Sequence, residues 1–530
     1  NMDKDARINI TTVNGDHIEA LTINAVGGAS KLTNFTSNTI RQPDQTASIK
    51  TMHIKGTADL TVDTTSGLYS FDATEYKGNK LIANVKANGY VQSIKGSGQD
   101  DVFNVTGASG RIIPIDGGAG KDTVNFIDAI NGNQHVEMTG AEELNINTNA
   151  SVLDFTRAQE ITELGINGTS ATVNILNSKI AKVNAKATNS TNVTINNSTD
   201  IRDFVIEKGN GSITANGTEK LNVKVANASD VPASQGTTSA TVASNTVKEI
   251  NFTLDNTTST NAGFVQNLNN VSALETLNVV NKTDKNITAS ITAADTSGLT
   301  TVNVVNLKTL NIETKGNYST ASVLSGISAI NLKGTGEETS VTFGTNMGTK
   351  PEPKPEGVER VPVPTKPLWG IQDITLNAEG LKNLDVVSSG QIWTSRDIKF
   401  ISNTDKADAT VKYGNMGYFS STYNPNMDYK VNNVTLVANG QKAFSVNSIN
   451  AAGDVNVTTH FAQGISTDSV APSVKIGVNN TSGFLLGKNI TINHTSVASL
   501  TNGEINVYNF INASNNLNVN ASGYKKLSVG

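Results

Sequence analysis

The sequence predicts an all-β protein, built as a parallel, solenoid-like stack of short strands with room for β-sandwich-like parts beside it. Three observations carry this expectation. Apolar and polar residues alternate in short runs. One Asn-centred phrase recurs along the chain. The composition suits a thin core and no thick one.

The alternation appears in Ala20-Leu21-Thr22-Ile23-Asn24-Ala25-Val26, in Ala171-Thr172-Val173-Asn174-Ile175 and in Thr301-Val302-Asn303-Val304. Each run is bounded by Gly, Asn, Ser or Asp. Strict period-two alternation over a few residues reads as a half-buried strand, its Leu/Val/Ile set inward and its Asn/Thr set outward. The recurring phrase is an apolar residue, Asn, then Val or Ile. It occurs at Leu144-Asn145-Ile146, Leu221-Asn222-Val223, Leu277-Asn278-Val279, Leu310-Asn311-Ile312 and Leu517-Asn518-Val519, often just after an acid such as Glu143, Glu219 or Glu275. Its irregular spacing marks a degenerate repeat, which points to stacked strands of one character. Helical signals are few. Gly263–Val271 places Phe264, Leu268 and Val271 on one helical face, and Val152–Leu164 reads as a second short helix.

Apolar residues make up 37% of the 530 and aromatics 5%, enough for a core shared thinly along many strands. Charged residues are 16% against a usual ~25%, so the polarity comes from Asn, Thr, Ser and Gly. A net charge of −5 with Val, Ile and Thr throughout argues against disorder. There are no cysteines, which excludes disulfides, thiol catalysis and zinc–thiolate or iron–sulfur sites. Together with the Asn/Thr/Gly bias, that suits a bacterial surface or secreted protein. The mild acidity supplies no basic stripe for nucleic acid. No stretch approaches the ~20 apolar residues that span a membrane. The polar start, Asn1-Met2-Asp3-Lys4-Asp5, is no signal peptide and reads as an internal point of a longer protein.

Six of the eleven prolines fall between Thr349 and Trp369, a run that favours extended backbone and cannot pair in a central strand. The expected organisation is a β-rich body over 1–230, a second over 231–348, a proline-rich linker or surface loop at 349–370, and a third body over 371–530. A softer boundary lies at Ala226–Asn245.

Gly117-Gly118-Ala119-Gly120-Lys121-Asp122-Thr123-Val124-Asn125 matches the nonapeptide G-G-x-G-x-D-x-U-x, with U apolar, at every defined position. Lys95-Gly96-Ser97-Gly98-Gln99-Asp100-Asp101-Val102-Phe103 matches it with Lys95 for the first glycine, and Lys333-Gly334-Thr335-Gly336-Glu337-Glu338 is a poor third copy with Ser340 at the apolar position. Calcium takes roughly 6–8 oxygen ligands at about 2.3–2.6 Å. Glycines let a tight turn aim several carbonyls at one point, the aspartate adds charge, and the apolar residue anchors the turn. Two stacked turns can close a shell that one cannot. In regular arrays such turns lie two nonapeptides, about 18 residues, apart. The offset from Lys95 to Gly117 is 22, which fits a small insertion around Gly107–Gly110.

On these motifs, the Asn phrases and the composition, the chain resembles the repeat-in-toxin (RTX) proteins, and among them the surface-layer proteins of Gram-negative bacteria. The resemblance implies export by type I secretion and folding on extracellular calcium. It also implies assembly with copies of itself into a two-dimensional lattice at the cell surface, anchored to lipopolysaccharide through a part outside this sequence. Carried over, the calcium ligands are the carbonyls of Lys95, Ser97, Gly118 and Gly120 and the carboxylates of Asp100 and Asp122. Gly98, Asp101 and Gly117 complete the candidate metal set.

Enzyme chemistry has little to stand on. His17, His53, His135, His460 and His494 show no metal-ligand spacing, and no nucleophile elbow, P-loop or dinucleotide fingerprint occurs. A β-helical polysaccharide-degrading enzyme needs paired carboxylates, and Asp100 and Asp101, adjacent in a strand, face opposite sides. The expectation is therefore a structural, calcium-dependent, self-assembling surface protein with no catalytic residues. An RTX-type adhesin or secreted binding protein is the alternative.

Overall fold

The computed structural model describes residues 7–9, 18–36, 49–66, 68–87, 91–195, 201–226, 238–255, 263–292, 307–348, 372–417, 430–461, 473–477, 483–496, 504–507, 510–522 and 526–529, apart from single positions 323, 325, 345 and 407. No helix occurs among them, and the strand pairings they form are parallel. The architecture is an all-β, solenoid-like scaffold. The chain divides into two compact units, Asn1–Ser234 and Gln235–Gly530.

Within the first unit, successive turns of chain lay strands into two parallel stacks. One contains Ser30–Thr36, Leu60–Ser66, Leu81–Lys86, Asp101–Thr106 and the start of Thr123–Thr139. The other contains Ile18–Ala25, Ile49–Gly56, Leu68–Tyr76, Ser93–Lys95 and Ile115–Asp116. From Thr123 onward long strands cover a whole rung: Glu143–Arg157, Glu163–Leu176, Lys182–Ile195 and Asp203–Ala215. The core lies between the stacks, where Phe71 of one meets Phe103 of the other edge-to-face at 6.3 Å. The second unit repeats the plan, with Phe252 against Phe264 at 5.6 Å and Phe400 against Tyr413 at 5.3 Å.

The Asn phrase explains the register. In the copies at Leu144, Leu221, Leu277 and Leu310 the apolar residues point inward and the Asn outward, so equal side chains align up the stack, whereas Leu517 of the last copy is exposed. Asn104 donates to Asn84 at 2.7 Å, Asn125 to Asn104 at 2.8 Å and Asn145 to Asn125 at 2.9 Å. In the second unit Asn278 donates to Asn251 and Asn311 to Asn278 at 2.6 Å each, then Asn331 to Asn311 at 2.8 Å and Asn377 to Asn331 at 3.2 Å. The first ladder climbs every 20 or 21 residues, whereas the second takes steps of 27, 33, 20 and 46. The strands of the second ladder are each 6 residues long while the segments between them vary, which is why the phrase recurs irregularly in sequence.

The step of 46 holds the proline-rich stretch. Residues 349–370 lie outside the described residues, and the ladder strands on either side of them in sequence, Ala329–Gly334 and Ile374–Glu379, are hydrogen-bonded neighbours. Of the expected bodies 231–348 and 371–530, all but residues 231–234 fall in the unit Gln235–Gly530. Thr301–Val304 also lies outside the described residues.

Both expected helices are absent. Gly263–Asn269 is a strand with Phe264, Gln266 and Leu268 buried in alternation, paired on both sides by Thr238–Ala243 and Asn286–Ile291. Neighbouring rungs supply every backbone partner there, and that outweighs a three-four spacing. Val152–Leu164 runs as strand to Arg157, turns, and re-enters a strand at Glu163.

Candidate metal centre

The two glycine–aspartate turns stack directly. Lys95 pairs with Asp116 and Ile94 with Ile115, and beyond the turns Val102 pairs with Thr123. The offset is one residue shorter than motif alignment gives. Gly96 therefore lies beside Gly117, Ser97 beside Gly118, and Asp101, not Asp100, beside Asp122. The two readings separate on burial. Asp101 and Asp122 are both 0% exposed, whereas Asp100 is exposed.

Each buried carboxylate is held by backbone. Asp101 accepts from the Ser97 N–H at 2.6 Å and from its hydroxyl at 3.1 Å. Oδ1 of Asp122 accepts the Asp101 N–H at 2.7 Å, and Glu142 accepts the Asp122 N–H at 2.7 Å. The result is a column of three acids, Asp101, Asp122 and Glu142, at one corner of successive rungs. Glu142 was not among the sequence candidates; the Glu142-Glu143 doublet before Leu144-Asn145-Ile146 was its signal. Asp100 instead accepts the Lys121 N–H at 2.8 Å on the outside of the corner.

The glycines are required by close approach. A Cβ on Gly118, whose φ is +102°, would lie 1.8 Å from the Ser97 carbonyl oxygen, and one on Gly96 would lie 1.9 Å from that of Gly117. A Cβ on Gly117 would meet the Gly140 oxygen at 2.1 Å and Asp122 Oδ2 at 2.7 Å. Gly120 (φ +117°) lies against Gln99 in the same way. Gly98 has open space around it and bears no such constraint. Lys95 is exposed and ends its strand.

Electrostatically the corner is strained. Burial pushes the Asp101 carboxyl up to about 6, against the pull of its Ser97 hydrogen bonds. Asp122 is pushed up to about 7, by burial first and then by the charges of Asp101, Glu142 and Asp100. Oδ2 of Asp122 is buried with no hydrogen-bond partner. Leaving such an oxygen unmet is costly.

The donors at the corner are all oxygens, which suits a hard cation. Among the described residues no three acidic or histidine side chains converge as a metal cluster, so backbone carbonyls would have to share the coordination. One carried-over donor, the Ser97 carbonyl, already accepts the Ala119 N–H at 3.1 Å. The third motif copy departs in kind. Buried Thr339 stands at that corner, its hydroxyl accepting the Gly336 N–H at 3.0 Å and donating to the Lys315 carbonyl at 2.8 Å. A hydroxyl there leaves no charge to neutralise.

The fold and this corner define a class: an all-β protein with a parallel, solenoid-like scaffold and stacked acidic turns. Comparison with family models, with curated proteins and with solved structures gave no match.

Proposed function

We propose that this chain is a structural cell-surface protein that assembles with copies of itself into a calcium-dependent layer. The observation that carries the reading is the stacked corner, where Asp101 and Asp122 are buried together and Asp122 Oδ2 has no partner. Calcium, when bound, supplies the positive charge that two buried carboxylates lack. Asp122 and Asp101 would hold it, with turn carbonyls completing the oxygen set. Ser97 fixes the Asp101 carboxylate, and Gly96, Gly117 and Gly118 let the two turns approach.

The mechanism is linkage. A ligand that binds only the folded corner adds its binding free energy to stability. Long parallel rungs with outward polar ladders suit a rigid lattice element better than a mobile catalyst. The reading places the protein outside the cell, where calcium is plentiful, and gives it no catalytic residue.

The test is to add calcium and then chelator to the purified protein. Size is followed by light scattering and electron microscopy, and folding by circular dichroism. Ordered sheets and a raised unfolding temperature with calcium are the expected result. If neither assembly nor stability responds, the reading fails.

A further inference from the structure

The second unit carries a groove, lined in part by a row of side-chain amides, that the assembly reading leaves unused. It crosses the strands Thr276–Asn281, Thr309–Thr314, Ala329–Gly334, Ile374–Glu379, Ile398–Asn403 and Val434–Asn439. Two hollows make it up. One of about 430 Å³ is lined by the amides of Asn278, Asn311, Asn331 and Asn377. The other, of about 610 Å³, runs past Asn403, Asn439 and His460. Lys333 and Glu379 line both, so the hollows form one track along the stack.

The chemistry of this track is specific. Each ladder amide spends one N–H and one lone pair on its neighbours, and keeps a second donor and acceptor for the outside. Rungs repeat every ~4.8 Å, so these groups recur at a fixed interval. The side chain of Glu379 is exposed and makes no hydrogen bond or ion pair with any described residue. Of the other charges on the track, Lys333 pairs with Glu313 at 3.4 Å and Lys406 with Glu337 at 3.0 Å, while exposed Asp405 adds a second carboxylate. A polyanion would meet no net positive charge there.

A peptide fits poorly. The backbone of these rungs is paired above and below, which leaves no edge for an added strand. Their apolar side chains, such as Ile312 and Leu332, are buried inward and form no side-chain pockets. A chain of hydroxyl groups matches a periodic row of amides with a free carboxylate beside it. We propose that this groove, from Asn278 to His460, binds a linear, uncharged glycan lying along the stack. Without an aromatic platform in the lining, affinity comes from many repeated weak contacts and therefore grows with glycan length.

The test is calorimetry of the full chain with length series of neutral glucans and mannans, beside heparin as an anionic probe. Binding is expected to a neutral series, at least about tenfold tighter for long members than for disaccharides. Glu379→Ala, which removes a side chain with no structural partner, and Asn331→Ala should each weaken it about tenfold. Asn125→Ala, an amide of the same kind in the other unit, should leave it unchanged, and circular dichroism confirms that each variant is folded. Failure of every neutral glycan to bind, preference for heparin, or binding indifferent to both groove variants would each overturn the proposal. None of these outcomes depends on calcium or on assembly, so the two readings fail separately.

Discussion

The backbone N–H of Asp101 donates to Oδ1 of Asp122 at 2.7 Å, from one rung to the next. This bond sets which aspartates share the corner. Asp101 faces inward with Asp122, and Asp100 faces out. Calcium at about 100 times its Kd should raise stability by about 2.7 kcal/mol. That gain should vanish in Asp122→Asn and Asp101→Asn and persist in Asp100→Asn. Calcium titrations of thermal unfolding check it; loss confined to Asp100→Asn would restore the motif alignment and sink the structural one.

Gly118 and Gly98 are both glycines of the motif, but only Gly118 is pressed against a neighbouring rung. Gly118→Ala would put a Cβ 1.8 Å from a backbone oxygen at a φ of +102°. A cost of about 2–4 kcal/mol is expected. Gly98→Ala meets nothing within 4 Å and should change stability by less than about 0.5 kcal/mol. Urea unfolding of both variants decides the matter, and equal effects would contradict the corner geometry.

Asn125 sits between Asn104 and Asn145 and bonds to both. Asn125→Ala removes two amide bonds and leaves two half-buried partners unmet. The expected loss is about 1–2 kcal/mol. Asn125→Asp should cost more, because a carboxylate cannot donate to Asn104. Unfolding curves that rank the two the other way would mean the ladder contributes little.

His494 is buried beside Phe461, with Nδ1 against the Thr459 hydroxyl. Burial, and then the charge of His460, lowers its pKa from the ordinary 6.5 to about 4. The unfolded chain therefore binds a proton more readily than the folded one. Stability from this residue is complete above pH 6.5 and is lost as pH falls towards 4. The loss is at most about 3 kcal/mol. Comparing wild type with His494→Gln by urea unfolding at pH 7 and 4.5 should show a smaller drop in the variant. An identical drop would place the sensitivity elsewhere.

Much of the fold was legible because strand alternation is local. Leu144-Asn145-Ile146 shows its inward and outward faces in three letters, and the structure places Leu144 and Ile146 in the core with Asn145 on the ladder. Gly263–Val271 misled because Phe264, Leu268 and Val271 share a helical face, whereas in the structure Phe264, Gln266 and Leu268 share a strand face and Val271 lies beyond the strand. Only the strands on either side chose between them. At the corner, the glycines and aspartates were legible as a tight, acidic turn. Their register was not, since motif spacing counts residues from the first glycine and the sheet counts them from paired backbones.

The sequence by itself determined that the chain is all-β, thin-cored and polar-faced, with two glycine–aspartate turns close together. These follow from side-chain period and backbone freedom, which are properties of a few adjacent residues. The tertiary structure decided that Asp101 and not Asp100 joins Asp122, that Glu142 extends the column, and that Asn331 and Asn377 touch across 46 residues. Each of these depends on which rung lies on which, and rung pairing is fixed by hydrogen bonds between segments whose separation in sequence varies freely with the loops.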